Sequence, residues 1–355
     1  MPNLTAKLAR HIVGYRSAGL DRAALTVAKQ CVLDWYGVTL AGSNEPVARI
    51  LREEIATSAQ GPSSIAGFNL RCSPVDAALI NGATSHALDY DDVHPLIGHP
   101  TAAVLPAVLS IAEAKGRSGM DVLRAFIAGY EAAGFVGSLV MRSHYERGFH
   151  STATVGSFGA AAAAGLLLDL DEAQMAVAFG LAGTQAAGLK SMFGTMAKPF
   201  HAGRAAANGV LAARLAARGF TANPGVLEVA QGFVATQSDS ERRSMCHCRV
   251  RAAWSWRRSS NITQPAISPI PASRRSSCCA GSCLLAAPMW QASTSMSRRG
   301  IYRFATLPHR EAGSKPSSAY ATPPHLRLAA RIRLRSRLIR MRTHMIRRSP
   351  WFANG

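Results

Sequence analysis

Acidic residues all but stop at residue 240. Residues 1–240 hold 18 Lys+Arg and 18 Asp+Glu, and the 115 residues after them hold the remaining 22 of 40 basic and 2 of 20 acidic residues. The whole formal excess of +20 therefore sits in the last third. Five of the seven cysteines and four of the five tryptophans also lie beyond residue 240. Two compositions share one chain, and they must be read as two parts, 1–240 and 241–355.

A charge of this size ordinarily points to nucleic acid or an anionic surface, because clustered Lys and Arg neutralise phosphates. The first 240 residues are balanced, so the expectation for them is no nucleic acid and no membrane partner. The Ala-rich run 155–168 is too short to span a bilayer, and Asp169 and Asp171 follow it, which fits a buried helix. The N-terminus shows no basic segment followed by an apolar stretch and a small-residue cleavage site, so the expected location is cytoplasmic.

Within 1–240 the apolar residues recur at helical spacing. Asp21 precedes a run through Ala24, Leu25, Val27, Ala28, Val32 and Leu33, and Gly42 follows it, which predicts one amphipathic helix. Similar segments cover about 101–116, 120–141, 152–168, 171–187 and 202–218, with no convincing alternating strand between them. The predicted class is all-α. Its Ala and Gly content permits close backbone approach and favours a packed bundle over a coiled coil, and neither a heptad nor a solenoid repeat is sustained.

Three polar interruptions of these helices are candidates for chemistry. Residues 81–101, N-G-A-T-S-H-A-L-D-Y-D-D-V-H-P-L-I-G-H-P-T, gather Asp89, Asp91, Asp92, His86, His94 and His99. Helical spacing would put His86 and Asp89 on one face. Pro95 and Pro100 predict a rigid loop, where functional side chains concentrate, although an Asp-capped helix end with solvated charges accounts for the pattern as well. In residues 147–159, R-G-F-H-S-T-A-T-V-G-S-F-G, His150 stands before a helix opened by Ser151 or Thr152. An anion could dock at that helix start beside the imidazole, or the histidine could simply cap the helix. In residues 191–209, Lys198, His201 and Arg204 fall on successive turns and could clamp carboxylates or form a solvated face.

No metal-ligand spacing is present, so a metal is not expected; the Asp and His residues could bind a divalent ion only if the fold converged them. A glycine-rich phosphate loop and a nucleophile elbow are also missing, which removes hydride transfer and serine hydrolysis.

Taken in order, H-A-L-D-Y-D-D, G-H-P-T-A-A-V-L-P-A, G-F-H-S-T-A-T-V-G-S-F-G-A-A-A-A-A-G and K-P-F-H-A-G-R-A-A-A-N-G-V-L-A-A-R-L-A resemble the MmgE/PrpD (2-methylcitrate dehydratase) family. Each motif is modest alone, and their succession is specific. The resemblance implies a lyase or isomerase that uses no cofactor and acts on small di- or tricarboxylates by dehydration, decarboxylation or epimerisation. It also implies a large helical domain, a smaller α+β lid domain and a homodimer. Its catalytic set would be Asp89, His99, His150 and Lys198, with substrate contacts from Lys198, His201, Arg204 and Asp91. Such chemistry needs a base near neutral pKa, an acid for the leaving group and cations for the carboxylates. His99 and His150 can supply base and acid in either order. Val93 stands where some relatives carry a hydroxyl residue, which leaves the substrate open.

The family pattern stops after G-F-V-A-T-Q-S, residues 232–238, where the lid should follow. The genetic code suggests why. With suitable synonymous codons, joining the last base of each codon to the next two turns residues 260–270 into K-Y-H-A-A-C-Y-L-T-H. The same shift turns residues 313–322 into L-E-A-K-F-S-L-R-H. Both strings resemble lid segments of the family, in family order. The expectation is a frameshift between about 238 and 260, a tail of low order, and a half-built site with little turnover. The competing expectation is a helical scaffold whose basic run R-I-R-L-R-S-R-L-I-R-M-R, residues 331–342, binds nucleic acid or acidic membrane.

Overall fold

The computed structural model describes residues 3–55 and 60–239. Ten α-helices run in chain order: α1 Leu4–Gly14, α2 Arg22–Gly42, α3 Pro46–Ile55, α4 Pro74–Ser85, α5 Pro100–Lys115, α6 Gly119–Glu146, α7 Ser151–Leu167, α8 Glu172–Gln185, α9 Ala197–Ala216 and α10 Phe233–Gln237. A two-residue antiparallel pair, β1 Ser63–Ser64 with β2 Arg71–Cys72, precedes α4. The described residues are thus all-α in class. The readings made for 241–355, the frameshift and the basic run included, lie outside the described residues.

The helices start where their capping chemistry is. Asp21 accepts the Ala23 amide at 3.1 Å and opens α2. Ser118 with Asp121, and Asp171 with Gln174, form reciprocal capping boxes at α6 and α8. The N-cap residues of α5 and α7 are His99 and His150, and neither supplies a side-chain cap. Both helices therefore begin with amide groups that no N-cap side chain occupies.

Helix α7 is the axis of the bundle. Sixteen of its 17 residues are buried, and it packs against α5, α6, α8 and α9. Its small side chains let neighbouring backbones approach closely. Helix α6 is long and apolar enough over Gly119–Val140 to cross a membrane by length and composition, but 89% of that window is buried inside the bundle. That burial marks a core helix.

The contact that places the functional residues is between α4 and α9. A Cβ on Gly82 would lie 2.8 Å from the Gly203 Cα, and one on Gly203 would strike the Leu79 carbonyl. The two backbones touch because neither helix carries a side chain there. This brings the end of α4, and the loop after it, against the start of α9.

Candidate active site

Helix α4 ends at Ser85, with His86 as its C-cap. The following chain turns through Asp89 at φ +56°, a left-handed conformation that Asp tolerates better than most residues. The reading of His86 and Asp89 as one helix face needs correction, since the helix has ended before either residue. The turn nevertheless leaves His86 Nδ1 and Asp89 Oδ1 3.9 Å apart. The proline-flanked loop is held by two backbone hydrogen bonds between His94 and Gly98, of 2.7 and 2.8 Å. It delivers His99 to the start of α5, where the His99 amide donates to Thr152 Oγ1 at 3.0 Å and ties the start of α5 to that of α7.

Seven polar side chains converge here. Lys198, on the first turn of α9, places Nζ 2.6 Å from Asp89 Oδ2, and His99 Nε2 lies 3.3 Å from Asp89 Oδ1. Asp91 is wholly buried between two imidazoles. His86 Nδ1 is 2.9 Å from its Oδ1, and His99 Nδ1 is 3.2 Å from its Oδ2, an ion-pair distance off the best hydrogen-bond line. His150 stands on the other side, its ring 6.2 Å from His86, with Nδ1 3.1 Å from His201 Nδ1 and the edge of Phe193 against it.

The expected residues are thus brought together with one exception. Arg204 is exposed and donates to Asn208 Oδ1 at 3.1 Å, away from the cluster. Val93 projects into solvent with 65% exposure. Of the other residues singled out, His94 turns inward toward Tyr130, and Asp92 is half-buried, with the Thr101 amide donating to its Oδ1 at 3.3 Å. His86 was absent from the expected set. Its signal was its place directly after an apolar run, where a polar side chain must be buried with its helix.

The environments pull these groups in different directions. Burial disfavours a charged His99, but the hydrogen bond and charge of Asp91, followed by the charge of Asp89, overcome it and raise its pKa. Burial pushes His150 down to about 2, and electrostatic repulsion from His86, His201 and Lys198 adds to this. Burial also lowers His201, with His86 contributing. For Asp91 burial opposes ionisation, yet the two imidazoles, His86 foremost, hold its carboxyl well below the usual range. For Asp92 burial and the neighbouring Asp91 charge push the pKa up to about 7.

His86, Asp89, Asp91 and His99 each offer a donor atom within 4.8 Å of the others, so the fold has converged what spacing alone kept apart. The Lys198 ammonium already neutralises Asp89, and both imidazoles are turned to Asp91. That arrangement is an ion-pair network, in which a proton or an ammonium fills the role a metal cation would take.

Comparison with known proteins places the chain in a family. Residues 6–245 match the MmgE/PrpD N-terminal domain. The chain is 31% identical over 245 residues to cis-aconitate decarboxylase of Homo sapiens, covering 66% of this chain and 50% of that protein. It is 33% identical over 240 residues to cis-aconitate decarboxylase of Aspergillus terreus, covering 64% and 49%. The Mus musculus cis-aconitate decarboxylase is 30% identical over 240 residues. The chain spans about half the length of these relatives. With the matched domain covering most of the chain, it belongs to the MmgE/PrpD family.

Proposed function

We propose that this chain carries the acid–base part of a lyase site for small di- or tricarboxylates. The observation that carries the reading is the opposed tuning of two histidines around one lysine. His99 is held toward its charged form by Asp91 and Asp89, whereas His150 is held neutral by burial beside other cations. Groups whose environments drive their pKa values apart are suited to acid and base roles in one site. In this reading His99 is the proton donor and His150, neutral in the empty site, is the acceptor once bound carboxylates beside it raise its basicity toward the neutral range; this chooses between the two orders open in the sequence.

Lys198 and His201 would take the substrate's carboxylates, with the first-turn amides of α7 adding partial positive charge. Arg204 has no part in this. A carboxylate reaching Lys198 competes with Asp89 for the same ammonium.

The relatives' names favour decarboxylation within the lyase class. In that reaction the bond from carbon to one carboxylate breaks, carbon dioxide leaves, and the electron pair moves into the conjugated system, where carbon takes a proton from the acid. In dehydration, the alternative within the family, the base removes a proton from carbon while the C–O bond breaks and the acid converts the departing hydroxide to water. Dehydration uses both histidines, whereas decarboxylation needs only the proton donor, His99. Because the family pattern stops after residue 238, the proposal includes weak turnover.

Isothermal titration of the full chain with cis-aconitate and 2-methylcitrate tests the reading. Binding that falls at least about tenfold in Lys198→Ala supports it. It is overturned when neither acid binds, or when Lys198→Ala binds like the parent. Turnover near that of a full-length relative overturns the claim of weak activity.

A further inference from the structure

His86 is the most enclosed polar side chain of the cluster. Its side chain has no solvent exposure, and Nδ1 lies 2.9 and 3.1 Å from the two oxygens of Asp91. Its ring is 4.4 Å from that of His99 and lies nearly parallel to that of His150. Nε2 is buried without a hydrogen-bond partner. Whatever charge the ring carries, a proton belongs on Nδ1, because an Nδ1 lone pair aimed at both oxygens of a carboxylate would be repelled, whereas an N–H there is accepted by both.

We propose that His86 is a positioning residue: its Nδ1–H pins the Asp91 carboxylate, and Asp91 then fixes His99 with Nδ1 inward and Nε2 toward the open side of the site. The geometry requires this order of action. Asp91 lies within 3.2 Å of both rings, whereas Asp89 comes no nearer His86 than 3.9 Å; His86 Nδ1 is closest to Oδ1 and His99 Nδ1 to Oδ2. His99 Nε2 points instead to half-exposed Asp89 and the neighbouring Lys198 ammonium, where a substrate carboxylate arrives. An imidazole that shuttles a proton needs its other nitrogen held by a partner of fixed charge. His86 supplies that partner's own support: burial works against an ionised Asp91, and His86 is the foremost influence against that penalty. Without the donor, Asp91 would take up a proton more readily, and His99 would lose the anion that keeps it cationic.

The inference rests on the proposed lyase reading only in naming His99 as the reactive imidazole. It is tested on the full chain with ¹⁵N-labelled histidine, His99 being assigned by the signal lost in His99→Gln. The expected parent spectrum shows a proton on His86 Nδ1. In His86→Phe the midpoint of the His99 titration falls by about one pH unit. In His86→Asn, whose amide N–H can reach Asp91, it returns to within a few tenths. An unprotonated His86 Nδ1 in the parent overturns the proposal without any variant having to fold. A folded His86→Phe with His99 unmoved, or His86→Asn as perturbed as His86→Phe, overturns it too. Tricarboxylate titration of the same samples separates the two readings. Failure of the acid to bind while His99 still responds to His86 removes the lyase reading alone, and binding without that response removes only the role of His86.

Discussion

Lys198 Nζ stands 2.6 Å from Asp89 Oδ2, across the junction where the loop after α4 meets the first turn of α9. The pair is half-open to solvent on the Asp89 side, so its own attraction is modest. It is better understood as a lysine held ready by a carboxylate that can be exchanged for a substrate's. Asp89→Asn removes the competitor and should leave tricarboxylate affinity equal to or tighter than the parent's, whereas Lys198→Ala should weaken it about tenfold or more. Affinity should also decline as pH rises above 6.5, through the raised pKa of His99, because the site loses a cation there. Titration calorimetry from pH 6 to 9 checks all three, and an Asp89→Asn variant that binds tenfold more weakly would show that Asp89 contacts the ligand directly.

Asp92 should make stability depend on pH in a way that one isosteric change removes. An Asp in the unfolded chain loses its proton near its ordinary value of 3.8, whereas the folded Asp92 keeps it to about 7, through burial and then the charge of Asp91. Between these values the folded state binds the extra proton, so this group's contribution falls as pH rises and levels off above 7. The neutral amide of Asp92→Asn has no such slope. Buried His150 and His94, with lowered pKa values, contribute the opposite slope below 6.5, but they do so in both proteins. The stability of Asp92→Asn relative to the parent should therefore climb by up to ~1.4 kcal/mol per pH unit from pH 4 to 7. Urea unfolding at half-unit intervals measures the difference, and a constant difference refutes the assignment.

Two glycine substitutions should have opposite signs. Gly203→Ala drives a methyl group into the Leu79 carbonyl and to 3.0 Å from the Ala83 amide, so α4 and α9 must separate. Such overpacking costs about 1–3 kcal/mol and should lower the melting temperature by several degrees. Because α4 leads into His86 and α9 carries Lys198, ligand affinity should fall with it. Gly134, in the middle of α6, has nothing within 4 Å of where its Cβ would be. Gly134→Ala should raise stability by up to about 1 kcal/mol through helix propensity alone. Thermal unfolding of the two variants decides the matter, and equal effects would mean that the α4–α9 contact does not limit stability.

Much of the helical order was legible because it depends on local signals. Asp21 and Gly42 bracket α2, and the segments drawn at 101–116 and 152–168 lie within a residue of α5 and α7. The segment drawn at 202–218 starts five residues after α9 does, because Lys198, Pro199 and His201 interrupt the apolar period that α9 buries only further along. Helices α1, α3, α4 and α10 were not drawn, and the β1–β2 pair is too short for an alternation to register. At the site, sequence order could gather Asp89, His99, His150 and Lys198 but could not orient them. Spacing placed Arg204 with Lys198 and His201, yet in the fold it turns toward Asn208. The part played by His86 depends on Asp91 folding back onto it five residues later, and on the α4–α9 contact, neither of which is a local property.

The last prediction concerns the 22 basic residues beyond residue 240, which two readings explain differently. If the tail is a working part of the protein, the full chain should bind heparin or duplex nucleic acid with an affinity that drops steeply with salt, as counterion release demands. That binding should vanish on truncation after residue 239. If the tail is a frame-shifted translation, its charge follows from Arg-rich codons of a displaced frame, and resequencing codons 230–325 settles the matter at its source. A second frame reading without interruption through K-Y-H-A-A-C-Y-L-T-H-like and L-E-A-K-F-S-like strings would restore lid-like segments to the gene product. Its turnover of cis-aconitate should then exceed that of the present chain by orders of magnitude, because closure over Lys198 and His99 would exclude water from the site. If the displaced frame holds stop codons or no such strings, the basic tail is native sequence, and salt-dependent polyanion binding becomes the activity to pursue.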